Sequence, residues 1–185
     1  AWFLSPIDGN PLVFGSSATW LEQLALHEYR HVVQGEQSLQ SGAFWMYLVF
    51  GETGWALVNN LSQPPWYCEG DAVAVETMFS LTGRGRSPGF SAELAALYDE
   101  KGVLHAENMI HGSLKEPVPD HYRMGWLMVR YGLLKHGPDF WTKVSRDASR
   151  RWFLPFPFER GIASHSGMAL DALYAEAATD LVKRW

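Results

Sequence analysis

A chain of 185 residues with a net charge of −5 and one cysteine is long enough to bury a core as one domain without disulfide or metal staples. The lone thiol, Cys68, excludes an intrachain disulfide and a cysteine-rich zinc site, and leaves the redox compartment open. No run of Lys or Arg supplies the electrostatic footprint of nucleic-acid binding, so that class is set aside.

In chain order, residues 2–14 place the turn-rich Pro6-Ile7-Asp8-Gly9-Asn10-Pro11 between two short apolar runs, which predicts a small β-hairpin. Thr19 with Glu22 three residues later forms a capping-box pattern. The segment behind it, Trp20 to Gln34, spaces Leu21, Leu24, Ala25 and Val32 as one helical face and is expected to stop at Gly35. The most apolar stretch, Ala43 to Val58, is broken by Gly51, Glu52 and Gly54 and is too short to span a bilayer, so it reads as a buried or interfacial element.

Pro64-Pro65 introduces a helix over about Tyr67 to Leu81, ended by the loop Gly83 to Pro88. A third helix runs from Ser91 to Gly102. Asp120 caps a fourth that ends at Gly137, a fifth is expected from Pro138, and Pro155-Phe156-Pro157 breaks the pattern before a last helix from near Gly167 to Lys183. Nine Trp, ten Phe and seven Tyr are core fillers first and cleft linings second.

The first helix carries His27-Glu28-Tyr29-Arg30-His31. Two imidazoles four residues apart share a face, about 5–6 Å apart at Cβ, so both reach one ion. The Glu between them projects beside that face, within reach of a metal-bound water. Downstream, Trp66-Tyr67-Cys68-Glu69-Gly70-Asp71-Ala72 continues to Glu76. Glu69 and Glu76 are two turns apart on one face, and a carboxylate facing the two histidines completes a three-ligand site with its fourth position open to water. Gly70 lets another backbone approach closely. Without the histidine pair, both glutamates would read as an ordinary solvated helix face.

His-Glu-x-x-His followed by Trp-x-x-Glu-Gly-x-Ala-x-x-x-Glu resembles the gluzincin metallopeptidases, especially the peptidase MA-like family, and the second motif is similar to the zinc-ligand helix of aminopeptidase-N-type enzymes. The likeness covers Leu24 to Glu76 and continues more loosely through Tyr122-x-x-Gly125, Tyr131-Gly132 and the C-terminal helices. It implies one Zn2+ per chain on His27, His31 and Glu69, with Glu28 as the catalytic base. It also implies a Tyr or His from a downstream helix as oxyanion donor, for which Tyr122 is the candidate and His121 the runner-up. Tyr122 reads equally as a packing residue of an amphipathic helix.

The sequence departs from the pattern in two places. The aminopeptidase Gly-x-Met-Glu-Asn motif is absent, so no exopeptidase specificity is carried over. The position four after Glu69, where gluzincins often place an Asp that orients a ligand histidine, is Val73. Asp71, Glu76 or a backbone carbonyl is then the expected acceptor for a ligand's second ring nitrogen. His105, His111, His136 and His165 read as surface or capping residues, and Cys68 as a small buried filler.

The expectation is therefore a mainly α (α+β) chain, a single zincin-like metallopeptidase domain over 1–185 with a small N-terminal β element. Zinc would activate a water that attacks a peptide bond with Glu28 as general base. Its partner would be a peptide or protein substrate, with no nucleic acid and no transmembrane segment. The start at Ala1 suggests a trimmed product of a longer protein, and the resemblance together with the missing start Met implies an extracytoplasmic (periplasmic or secreted) location. Two other readings are a catalytically silent zinc-binding module of a larger envelope protein and a metal-free helical interaction domain.

Overall fold

The computed structural model describes residues 17–81, 83–112 and 117–185, with side chains from Trp20 onward. The hairpin expected at 2–14 lies outside the described residues. Among those described the chain is mainly helical and contains no strand. No helix among them is long and apolar enough to cross a membrane.

Helix α1 (Ser17–Ser38) starts two residues before Thr19, which therefore lies inside it rather than capping it. Gly35 does not stop it either. The Trp55 indole lies against Gly35, where an added Cβ would come within 2.6 Å of the ring, and Trp55 Nε1 donates to the Gly35 carbonyl at 3.1 Å. A glycine that admits a neighbour's ring need not end a helix. A π-helical turn over Leu39–Ala43 leads into α2 (Phe44–Ser62), which is kinked at Gly51 with φ 60°. That helix carries no amphipathic signal, because its first two turns are apolar on every side.

Helix α3 (Pro65–Phe79) begins on Pro65 at its first turn. A 3-10 turn at Arg84–Arg86 follows, then α4 (Pro88–Lys101), which ends at Gly102 with φ 75°, and the short α5 (Ala106–His111). Helix α6 (His121–His136) has the expected ends. The Asp120 side chain accepts from Arg123 N at 3.2 Å, and Gly137 turns the chain with φ 92°. Helix α7 (Phe140–Arg150) starts two residues later than Pro138 suggests, with Asp139 preceding it but making no side-chain capping bond. Pro157, read as a breaker, instead opens α8 (Pro157–Ser166), and Gly167 separates it from α9 (Leu170–Arg184).

The core forms where α3 and α6 pack, the most extensive helix pairing in the fold. At one end of α3, buried Trp66 and Tyr67 meet Trp141 of α7 and Phe158 of α8, with ring centroids 4.7–6.2 Å apart. These separations are favourable for edge-on and offset rings. Trp141 Nε1 donates to Val129 O at 2.9 Å, so its buried polar atom is satisfied. Tyr98 and Tyr174, both buried, share a 2.8 Å hydroxyl bond that ties α4 to α9.

Candidate metal centre

Helices α1 and α3 bring His27, His31 and Glu69 together across a sequence gap of about forty residues. His27 Nε2 lies 3.0 Å from Glu69 Oε2, His31 Nε2 lies 3.2 Å from His27 Nε2, and His31 Nε2 lies 3.5 Å from Glu69 Oε2. Ligand atoms bound tetrahedrally to zinc at about 2.0–2.2 Å are about 3.3–3.6 Å apart. The triangle formed by these three atoms is therefore close to the size of one face of a zinc tetrahedron. Two imidazole nitrogens and a carboxylate form a donor set suited to zinc.

Each ring is also held from behind. His31 Nδ1 is 2.9 Å from Gln34 Oε1. The Gln34 amide nitrogen donates to Cys68 O at 3.0 Å and to Asp71 Oδ2 at 2.8 Å, which fixes its oxygen as the acceptor toward His31. The proton of neutral His31 then sits on Nδ1 and leaves Nε2 bare for a metal. Asp71 in turn is braced by Arg30 Nε at 2.7 Å.

His27 presents Nδ1 to Glu76 Oε2 at 3.3 Å and to Arg84 Nη2 at 2.8 Å. Arg84 is also bound to Glu76 through Nε at 2.7 Å and Nη2 at 2.9 Å. A proton on Nδ1, shared with Glu76, bares Nε2. The opposite tautomer, with Arg84 donating to Nδ1, places the proton on Nε2 facing Glu69. Metal binding would require the first, and Glu76 would then fill the orienting role that Val73, fully buried, leaves open.

The close approach of the two histidines and two glutamates couples their protonation. Burial opposes ionisation of Glu69, but hydrogen bonds from His27 and His31 outweigh it and hold its carboxyl well below the usual range. His27 is pulled down by burial and raised overall by its bonds to Glu69 and Glu76. His31 is raised chiefly by Glu69, against burial. Glu76 is lowered despite burial by His27 and Arg84. A bound cation would displace the shared protons, so affinity should increase with pH until the histidines are neutral.

Of the other residues expected at the site, Glu28 is exposed and close enough to His31 to contribute to raising its pKa. Tyr122 comes in from α6 with its ring centroid 6.1 Å from that of His27 and the Arg84 guanidinium 5.1 Å over its face. Burial, followed by the charge and hydrogen bond of Glu69, pushes its hydroxyl up to about 12. His121 stacks on Tyr122 at 4.7 Å, on the site's periphery. Cys68, partly buried, has its thiol pushed up to about 12 by burial, then by Asp71 and Glu69.

A cleft of about 320 Å³ opens beside the triad, lined by His31, Glu69, Trp55, Asn59, Asn60 and Gln63 among others. Sequence reasoning missed Gln34 and Arg84. Gln34 is recoverable, lying three and seven residues after the histidines on the same helical face. Arg84 sits in a loop and carries no comparable signal.

Two expected results check the assignment. Glu69→Ala should lose nearly all tightly held zinc by elemental analysis after dialysis; unchanged content would move the third ligand elsewhere. Glu76→Gln, which keeps shape but not charge, should weaken zinc about 10–100-fold in competition with a chromophoric chelator. An unchanged affinity would remove Glu76 as the orienting group. Comparison of the chain with protein-family models, curated proteins and solved structures finds no match, so what identifies this site is the convergence of His27, His31 and Glu69 itself.

Proposed function

We propose that this chain is a zinc-dependent metallopeptidase domain, with His27, His31 and Glu69 holding the metal and Glu28 acting as general base. The observation that carries this reading is the 3.0–3.5 Å triangle of ligand atoms, with both imidazoles oriented from behind. Zinc held there supplies Lewis acidity, lowering the pKa of water and polarising a carbonyl.

The protein's own groups do the remainder. Glu28, next to His27 in sequence and open to solvent, takes the proton of the attacking water and returns it to the leaving amine. Tyr122 keeps its proton at neutral pH and so can donate to the oxygen on which charge develops. The neighbouring cleft accepts the chain flanking the scissile bond. Asn59, Asn60 and Gln63 line it with amide groups suited to a peptide backbone.

The reading is tested on chain purified without an affinity tag or added metal. The expected result is about one zinc per chain, cleavage in a peptide library, and loss of cleavage on chelation with recovery on zinc addition. A folded chain that neither holds nor takes up zinc would leave a metal-free helical interaction domain as the better account. Tyr122→Phe should retain zinc and fold while kcat falls, by roughly 10-fold or more for loss of a transition-state donor. A wild-type rate would pass that role to another group.

A further inference from the structure

Both ends of one tight contact lead into exposed apolar chain. Gly42 lies against the backbone of α7, where an added Cβ would overlap the Ser149 carbonyl and approach Arg150 N. Two residues after Gly42, α2 begins with Phe44, Trp45, Met46, Tyr47, Leu48, Val49 and Phe50. All but Met46 expose 45–71 % of their surface. Two residues after Arg150, the α7–α8 connection runs Trp152-Phe153-Leu154-Pro155-Phe156, with Phe153 and Phe156 67 % and 72 % exposed. Helix α2 also contacts both α7 and α8, and the Gly42 contact brings the starts of the two runs close together.

These runs have features that packing does not explain. Phe156 is held at φ 53°, the left-handed region that a bulky residue enters at a cost of roughly 1–3 kcal/mol. Its ring nevertheless projects into solvent, so the strain gains no buried contact within the fold. A helix apolar on all sides belongs in a core or in lipid. The stretch before the Gly51 kink rises only about 10 Å, far short of a bilayer's hydrocarbon thickness. Its Trp and Tyr are the residue types that settle at a membrane–water boundary.

The apolar runs themselves carry no acidic residue, from Leu39 to Gly51 or from Arg150 to Phe158, and the charges that border them are three arginines against Glu52 and Glu159. Arg150 and Arg151 are exposed, and Arg160 donates through Nε to Pro155 O at 2.8 Å, which holds its guanidinium beside the apolar loop. In a chain of net charge −5, a local excess of arginine over glutamate at the edge of an aromatic surface favours an anionic one.

We propose that this face, formed by residues 44–50 and 152–156 with Arg150, Arg151 and Arg160 at its edge, docks on an anionic lipid surface. The apolar side chains enter the boundary between headgroups and acyl chains, and the arginines pair with lipid phosphates. The proposal is independent of the zinc chemistry, and the patch is distinct from the metal-binding residues.

The test is co-sedimentation of the purified full chain with vesicles of phosphatidylcholine alone and of equal parts phosphatidylcholine and phosphatidylglycerol. The expected result is binding to the anionic vesicles that weakens as salt is raised. Trp45→Ser with Phe50→Ser should reduce it by about 10-fold or more. Arg150→Gln with Arg151→Gln should reduce it by about five-fold per arginine. Leu134→Ser, at an exposed apolar position on α6, should leave binding unchanged, and all variants should keep the wild-type circular dichroism. Absence of binding to anionic vesicles, or binding indifferent to the patch variants, overturns the proposal. Concentration-dependent dimerisation abolished by Trp45→Ser with Phe50→Ser, with no vesicle binding, would assign the face to a second copy of the chain instead.

Discussion

Glu28→Gln should hold zinc as the wild type does and lose peptide hydrolysis by a factor on the order of 10²–10⁴, the usual contribution of a positioned general base. The amide keeps the size of the carboxylate but cannot accept a proton. Because Glu28 is exposed, the change leaves no buried charge unpaired, so the fold should not confound the rate. Metal content and kcat measured on the same preparation separate the two effects. Full activity would remove Glu28 from the mechanism, whereas loss of zinc together with activity would make its role structural.

The other large effect lies in the fold. Gly125→Ala should destabilise the protein by about 3 kcal/mol or more, a large share of the roughly 5–15 kcal/mol that holds a typical domain together. An added Cβ would stand 2.0 Å from Trp66 O and 2.9 Å from Gly70 Cα. Those atoms are backbone, so no rotamer change relieves the overlap and α3 must move away from α6. Gly70→Ala should behave alike, since its Cβ would come within 2.1 Å of Gly125 C. Urea denaturation measures both, and a midpoint unchanged in either variant would mean that the crossing tolerates separation. Glu69 precedes Gly70 and Tyr122 lies one turn before Gly125, so a partly folded variant should also have weaker zinc binding.

Local chemistry explains which elements were legible. Asp120 and Gly137 bracket α6 as expected because a capping side chain and a glycine turn at positive φ act within a few residues of their own positions. Pro157 misled because the same residue breaks a helix from inside and starts one from its first turn. Gly35 misled because its role is set by Trp55, twenty residues on. The first two turns of α2 are apolar all round, so no periodicity identified a helix there.

The site divides in the same way. The sequence by itself determined the pairing of His27 with His31, flanked by Glu28, because four residues of α-helix place two side chains on one face whatever surrounds them. It also determined that something must approach closely at Gly70. Only the tertiary structure decided that this neighbour is Gly125, that Glu69 meets the histidines, that Gln34 and Glu76 orient the two rings, and that Arg84 and Tyr122 close the site's edge. Those contacts depend on how α3 packs against α1 and α6, and packing of remote segments is set by the complementarity of whole buried surfaces rather than by the spacing of residues along one helix.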